Sequence, residues 1–280
     1  MNNDTTPAFK IGEFLVNVLN DGEMNVSLDL LSGIGINEAT ELQNQVDIDK
    51  VNTININAYL IRGSGKTILV DTGLGKLNST AGFLLEELNS IGVFPEDIDT
   101  ILITHAHPDH IGGLLNEDGQ VIYKNAELYL HSLEFEYWMD DYQLEKASER
   151  GKRNFQLVRN ILKAYENVLN FTDKKTIMNG IRPILLAGHT PGHTGFYIES
   201  NNQSLLIWGD IIHFPNIQLK DPSITIAFDC DTHQAVATRK KILEQVVIDD
   251  QLVAGMHLGK MGFAHISCDH KKESYIIKYI

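Results

Sequence analysis

The sequence predicts a layered α/β protein, with two sheets and helices outside them, from two observations. Short β-branched runs recur along the chain, each closed by a turn signal. Three stretches between them carry apolar residues at helical spacing. Thr53 to Ile61 alternates small or polar positions with apolar ones and reads as a strand. Thr67 to Val70 is a second strand, stopped by Asp71-Thr72-Gly73. Gly82 to Ile91 is helical, with Phe83, Leu84, Leu88 and Ile91 as its apolar positions. Asp99 to Thr104 is a strand of the buried type, and Leu128 to His131 is another. From Leu133 to Leu169 the chain turns charged, aromatic and helical in period, with Phe155, Val158, Ile161, Leu162 and Tyr165 on one stripe and Gly151 as the expected interruption. Strands resume at Ile184 to Ala187, Gly195 to Ile198, Leu205 to Trp208 and Leu252 to Ala254, and Thr232 to Val247 reads as a helix. No repeat, low-complexity tract or long linker divides the 280 residues. One domain over 1–280 is expected, with a helical insert at about 133–170 that forms a lid or a dimer surface.

Composition narrows the class of partner. Hydrophobic residues make up 43% and charged residues 21%, ordinary values for a globular chain. The formal net charge of −14 repels phosphate backbones and anionic membranes, so a small-molecule substrate is expected, with neither nucleic acid nor membrane as partner. No apolar run approaches the roughly 20 residues that span a bilayer. The two cysteines, Cys230 and Cys268, stand in no close-spaced motif, which fits reduced thiols. The start, MNNDTTPAFKIGEF, lacks a basic region followed by an apolar one, so it reads as no signal peptide and a cytoplasmic location is expected.

The chemistry concentrates in Thr104-His105-Ala106-His107-Pro108-Asp109-His110, directly after a buried-type strand. Neutral imidazole and carboxylate are good ligands for zinc and related divalent ions. Crowding several titratable groups together is expensive unless something pairs them, and a metal does so. A second piece, Gly188-His189-Thr190-Pro191-Gly192-His193, follows the strand at 184–187 and offers two histidines around a Pro-Gly turn, one a candidate ligand and the other structural. Asp210 ends the apolar run Leu205 to Gly209, where its two oxygens could bridge two cations, and His257 follows the apolar run Leu252 to Met256. The total exceeds what one tetrahedral zinc can use, since such an ion takes four ligands and a catalytic one keeps a position open. Two ions are therefore expected, zinc by default, with manganese, iron or cobalt also suited to nitrogen and oxygen donors.

HAHPDH, the later GHTPGH, the strand-end GD and the GMH at 255–257 occur in that order, after an upstream LVDTG at Leu69 to Gly73. Together they resemble the metallo-β-lactamase superfamily over roughly Thr53 to His265. The segments ILITHAHPDHIGGL, HTPGHTGFYIES, GDIIHFPNIQLKDPSITIAFDCD, TRKK and AGMHLGKMGFAHI are similar to the methyl parathion hydrolase group and its acyl-homoserine lactonase relatives. The resemblance implies an αββα four-layer sandwich with metals at one sheet edge. It implies His105, His107 and His193 around one ion and Asp109, His110 and His257 around the other, with Asp210 between them, and takes His193 rather than His189 as the ligand. It implies aromatic pocket walls, for which Trp138 and Phe155 are the candidates, and it makes a homodimer a possible assembly. One departure stands out: related lactonases place a tyrosine shortly after the strand-end aspartate, where this chain has Ile211, Ile212 and His213. His213 is a candidate polar substitute.

These readings give a hydrolase in which two ions make a water nucleophilic, with Asp109 or Asp210 relaying the proton to the leaving group. Asp71 is a candidate partner for the far nitrogen of a metal-bound histidine. His265 is a candidate for the pocket near His257. A lactone or ester, with acyl-homoserine lactones as a class, is the first expected substrate, and an organophosphate triester the second. A glyoxalase-type thioesterase and a one-iron sulfur dioxygenase rank below them. The first lacks a clear basic C-terminal motif here, and the second does not need the complete second ligand set. Hydrolysis of β-lactams is not favoured, because Asp210 stands where a cysteine ligand would be expected.

Overall fold

The computed structural model describes residues 6–45, 51–173, 176–269 and 274–280. Of the leader reading, residues 1–5 lie outside it. Two sheets carry the architecture. The first has seven strands in the order Ala8–Ile11, Phe14–Asn25, Thr53–Gly63, Lys66–Val70, Thr100–Leu102, Glu127–Leu130 and Leu169–Phe171. Its first four strands pair antiparallel; the pairs from Lys66–Val70 onward are parallel. The second has six strands in the order Ser274–Tyr279, Phe263–Asp269, Leu252–Ala254, Gln203–Ile207, Thr194–Ser200 and Ile181–Leu185, with one parallel pair, Gln203–Ile207 against Leu252–Ala254.

Alternation along the strands builds three cores. In Thr53–Gly63, Tyr59 and Ile61 point towards the second sheet and join Val16, Val18, Val70, Phe196, Ile198, Leu205, Ile207 and Phe263. Ala58 and Leu60 point the other way, onto Leu84, Leu88, Val158 and Ile161 of the outer helices. Across the second sheet, Leu206 and Val253 face Ile242, Leu243 and Val246 of the helix Thr232–Ile248. Helices, sheet, sheet and helix stack as four layers, the αββα sandwich of the metallo-β-lactamase fold. Strands covered on both faces need apolar residues at nearly every position, which is why their sequences read as runs rather than clean alternation.

The helical insert is three helices, Ser132–Met139, Asp141–Lys146 and Glu149–Ala164. Gly151 does not interrupt it. The breaks fall at Asp140 and Ser148, whose side chains accept from Tyr142 N and Gly151 N as N-caps. The strand expected at 184–187 is shifted to Ile181–Leu185. No helix of the described residues is long and apolar enough to cross a membrane.

Candidate metal centre

The parallel pairs fix where the chemistry gathers. Lys66–Val70, Thr100–Leu102 and Glu127–Leu130 run the same way, so the loops after them leave the first sheet at one edge. Gln203–Ile207 and Leu252–Ala254 do the same for the second sheet, delivering Asp210 and His257. Asp71 turns out of its strand with φ of 58°, a left-handed conformation that Asp tolerates better than most residues, and Thr72 N–H then donates to His110 O at 2.7 Å. Gly113 lets the short helix Pro108–Ile111 lie against this turn: an added Cβ would sit 2.0 Å from Thr72 O.

Three nitrogens form a tight triangle. His105 Nε2 lies 3.0 Å from His107 Nδ1, which lies 3.0 Å from His189 Nε2, which is 3.1 Å from His105 Nε2. For His105 and His189 the opposite ring nitrogen is already engaged. His189 Nδ1–H donates to Asp229 Oδ1 at 2.9 Å, and His105 Nδ1–H to Thr104 Oγ1 at 3.1 Å. Nε2 of His105 and Nε2 of His189 are thereby left as acceptors, and two acceptors 3.1 Å apart repel unless a cation joins them. Bonds of 2.0–2.1 Å in a tetrahedron set ligand nitrogens roughly 3.3 Å apart, close to what is seen. Burial holds both His105 and His107 well below the usual imidazole range, in the neutral form that binds metal.

Beside the triangle, Asp109, His110, Asp210 and His257 bring one ligand atom each into a second group. Nδ1–H of His110 donates to Asp71 Oδ2 at 2.7 Å, and Nδ1–H of His257 to Asn55 O at 2.6 Å, so their Nε2 atoms face inward. Asp210 Oδ2 stands between the two groups, 3.4 Å from His189 Nε2, 3.3 Å from His110 Nε2 and 3.2 Å from His257 Nε2. His110 Nε2 and Asp210 Oδ1 are buried with no hydrogen-bond partner. Burial works against charge here, yet Asp210, Asp109 and Asp71 pull His110 well above the usual imidazole range. Conversely His110, His257, His213 and His105 hold Asp210 well below the usual carboxylate range, again against burial. Carboxylates this hungry for positive charge, next to orphaned nitrogens, form a donor set that supports two divalent ions.

His193 is not brought to the site, which corrects the ligand choice drawn from the motif. Its Nδ1–H donates to Leu186 O at 3.0 Å and its Nε2 accepts Asp210 N–H at 2.9 Å, so no nitrogen is left for an ion. Burial pushes it down to about 3, a neutral strut under Asp210. Gly209, at φ of 59°, makes room for it, since an added Cβ would meet His193 Nε2 at 2.3 Å. His189, four residues earlier, takes the position instead. Trp138 and Phe155 are also corrected: their rings pack on each other at 4.7 Å inside the core of the insert rather than lining the cavity at the metal edge. Trp138 reaches the centre only with its ring, edge-on to His107 at 5.8 Å. His265 lies elsewhere, on the strand Phe263–Asp269, paired with Asp250 at 3.4 Å.

The cavity over the metal edge is walled by Met24, Ile54, Leu74, Pro108 and Phe228; its polar groups are His107, Asp109, Asp210 and His257 of the centre together with His213, Arg150 and Asn154. His213 is thus where the motif reading put it. It lies 3.2 Å from Asp210 Oδ2, yet neither ring nitrogen has a hydrogen-bond partner of good geometry. Sequence reasoning missed Asp229, Glu134, Arg150 and Asn154. Asp229 sits in Phe228-Asp229-Cys230-Asp231, a run without the spacing of any of the ligand motifs. Glu134, Arg150 and Asn154 lie among the many charged and polar positions of the insert, where only the fold distinguishes an inward residue.

Comparison with known proteins agrees with this geometry. A model of the metallo-beta-lactamase superfamily matches residues 51–257, and the chain belongs to that superfamily. Its solved structural relatives include AidC, a dizinc quorum-quenching lactonase in complex with a product, N-hexanoyl-L-homoserine, at 29% identity and TM-score 0.90, covering 98% of both chains. The hydrolase AbOPH of the beta-lactamase superfamily matches at 29% identity and TM-score 0.89, over 98% of this chain and 97% of that one. The acyl-coenzyme A thioesterase MBLAC2 of Bos taurus is 29% identical over 171 residues, which are 56% of this chain. The chain spans 58% of that relative's length.

Proposed function

We propose that this protein hydrolyses lactones or closely related carboxylic esters at a pair of divalent ions, zinc by default, with acyl-homoserine lactones as the candidate class. The single observation behind this reading is Asp210 Oδ2, set between the His105–His107–His189 triangle and the His110–His257 pair. The product-bound dizinc lactonase with the same fold over its whole length supports the substrate class.

His105, His107 and His189 would hold one ion, and Asp109, His110 and His257 the other, with Asp210 within reach of both groups. Two such ions, when bound, bring the pKa of a water from about 15.7 towards 7 and polarise a carbonyl oxygen. Asp71 fixes the ring of His110 directly and that of His105 through Thr104 Oγ1–H, which donates to Asp71 Oδ2 at 2.7 Å. Asp229 does the same for His189. Asp109, whose side chain is 12% exposed and faces the cavity, takes the proton of the attacking water and returns it to the leaving alkoxide. His213, with both nitrogens uncommitted, donates to a substrate oxygen. The wall of Met24, Ile54, Leu74 and Phe228 accepts an acyl chain and excludes water.

A thioester is the second reading, and one feature favours it. Arg150 stands at the cavity mouth, its guanidinium 5.6 Å from the Phe228 ring centre, with no carboxylate partner among the described residues. An unpaired cation there, in a chain of net charge −14, suits a substrate with an anionic head. The test is a panel of acyl-homoserine lactones, aryl esters, phosphotriesters and acyl-coenzyme A thioesters, assayed on protein of measured metal content. Lactone turnover above every other class supports the first reading. Thioester or phosphotriester turnover that exceeds it by tenfold replaces it.

A further inference from the structure

Glu134 opens the helical insert, is fully buried, and has no lysine or arginine paired with it among the described residues. Its charge is answered by four donors. Oε1 accepts Ala106 N–H at 2.9 Å and Trp138 Nε1–H at 2.7 Å. Oε2 accepts Thr190 Oγ1–H at 2.6 Å and Gly192 N–H at 3.0 Å. Ala106 lies between His105 and His107, while Thr190 follows His189. The two oxygens of one carboxylate therefore grip the two loops whose nitrogens form the triangle, loops that come from different sheets. The sequence accommodates the grip: Gly192 has no Cβ, and one added there would lie 2.3 Å from Glu134 N and 2.5 Å from Glu134 Cβ. One backbone bond, Thr194 N–H to Thr104 O at 2.8 Å, also joins the loops, but it lies behind the ligands. Asp109, His110, Asp210 and His257 make no hydrogen bond with Glu134.

From this arrangement, and resting on the two-ion reading above, we infer that Glu134 is a positioning residue. It sets the spacing of His105, His107 and His189, and so the affinity of that one ion site, and it ties the spacing to the insert through Trp138. Charge-assisted bonds to a carboxylate are short and strong, so four of them fix the loops more tightly than neutral bonds would. Glutamine cannot copy this. It keeps one oxygen and turns an NH2 towards donors on the other loop.

The experiment separates the two sites. Zinc affinity is measured by competition with a chromophoric chelator in two backgrounds: His257→Ala, which leaves the triangle intact, and His189→Ala, which leaves the other group. Adding Glu134→Gln is expected to weaken zinc about 10–100-fold in the first background, the range for loss of an outer partner, and by less than about threefold in the second. Thr190→Val, which removes one donor and is gentler on the fold, is expected to show a smaller loss with the same selectivity. Near-ultraviolet circular dichroism of the metal-free proteins reports whether Trp138 keeps its packing. Equal losses in both backgrounds, or none in the His257→Ala background for either variant, overturn the assignment to Glu134. A wild-type chain that binds no zinc instead overturns the two-ion reading itself.

Discussion

Asp210 and Asp21 are both buried acids, 3% and 0% exposed, and their surroundings are opposites. Asp21 is the bulged residue of the strand Phe14–Asn25, skipped in the pairing with Thr53–Gly63. Its oxygens accept the N–H groups of Leu74 at 2.8 Å, Gly82 at 3.1 Å and Leu84 at 2.9 Å. Asp210 has its Oδ1 without any partner and its Oδ2 among imidazole nitrogens. A buried acid satisfied by backbone amides is a frame element that stitches loops together. A buried acid with an orphaned oxygen among imidazoles draws positive charge to itself, as protons on those rings or as a cation. The same contrast separates His193, with both nitrogens used, from His189, with one left over.

The largest expected effect tests the cation side of the contrast. Asp210→Ala removes the acceptor common to both groups, so zinc per chain should fall below two. Ester or lactone turnover should fall about 10³-fold, the scale of losing several kcal/mol of charge stabilisation. Elemental analysis and steady-state kinetics check this together. Two zincs retained with near-normal turnover would show that the orphaned oxygens have another use. The paired histidines come next. His189→Ala is expected to lose one ion. His193→Ala should keep both and instead lower stability by about 1–3 kcal/mol, because Asp210 N–H and Leu186 O lose their partner. Melting curves with metal counts decide it, and the reverse pattern would restore His193 as a ligand.

A smaller effect is expected from Asp71→Asn. An amide there can no longer accept from both Thr104 Oγ1–H and the His110 ring while remaining charged, so metal affinity should drop about 10–100-fold with the fold intact. Unchanged affinity for both ions would reduce Asp71 to a turn residue.

The contrast also explains what could be read in the sequence. The layers were legible because strands buried on both faces must be apolar, as in Leu205 to Ile207 and Ile101 to Ile103. The density of ligands in 105–110 was legible because a strand and a short helix deliver them locally. The strand Phe14–Asn25 was not, since its run is broken by Asn17, Asn20 and Asp21, whose polar side chains are satisfied by tertiary partners such as Asn57 and the Leu74 amide. The choice between His189 and His193 was not legible either. Both flank the same Pro-Gly turn, and only the positions of Asp229 and Leu186 decide which ring has a nitrogen free. Trp138 and Phe155 carry the right chemistry for a pocket, but each faces the core from its own helix, and it is Arg150 and Asn154, on the same helix as Phe155, that reach the cavity.

The smallest expected effect probes the frame side. Burial pushes Asp21 up to about 6 from 3.8, although three amides favour its charge. A carboxyl whose folded pKa lies above its unfolded one binds protons more readily when folded. Its contribution to stability therefore rises as pH falls through about 6, and is complete once the unfolded chain is protonated too. Asp21→Asn abolishes that titration. Between pH 7 and pH 5 the metal-free wild type should gain about 1 kcal/mol relative to the variant in denaturant unfolding. Every imidazole is common to both proteins, so their protonation cancels in the difference. Asp210 cannot imitate the effect: held well below the usual range, it keeps its stabilising charge until pH falls far under 5. A flat difference would mean that the amides balance burial at Asp21, and one of opposite sign that they outweigh it. The two buried acids would then differ in their partners but not in the direction their surroundings push them.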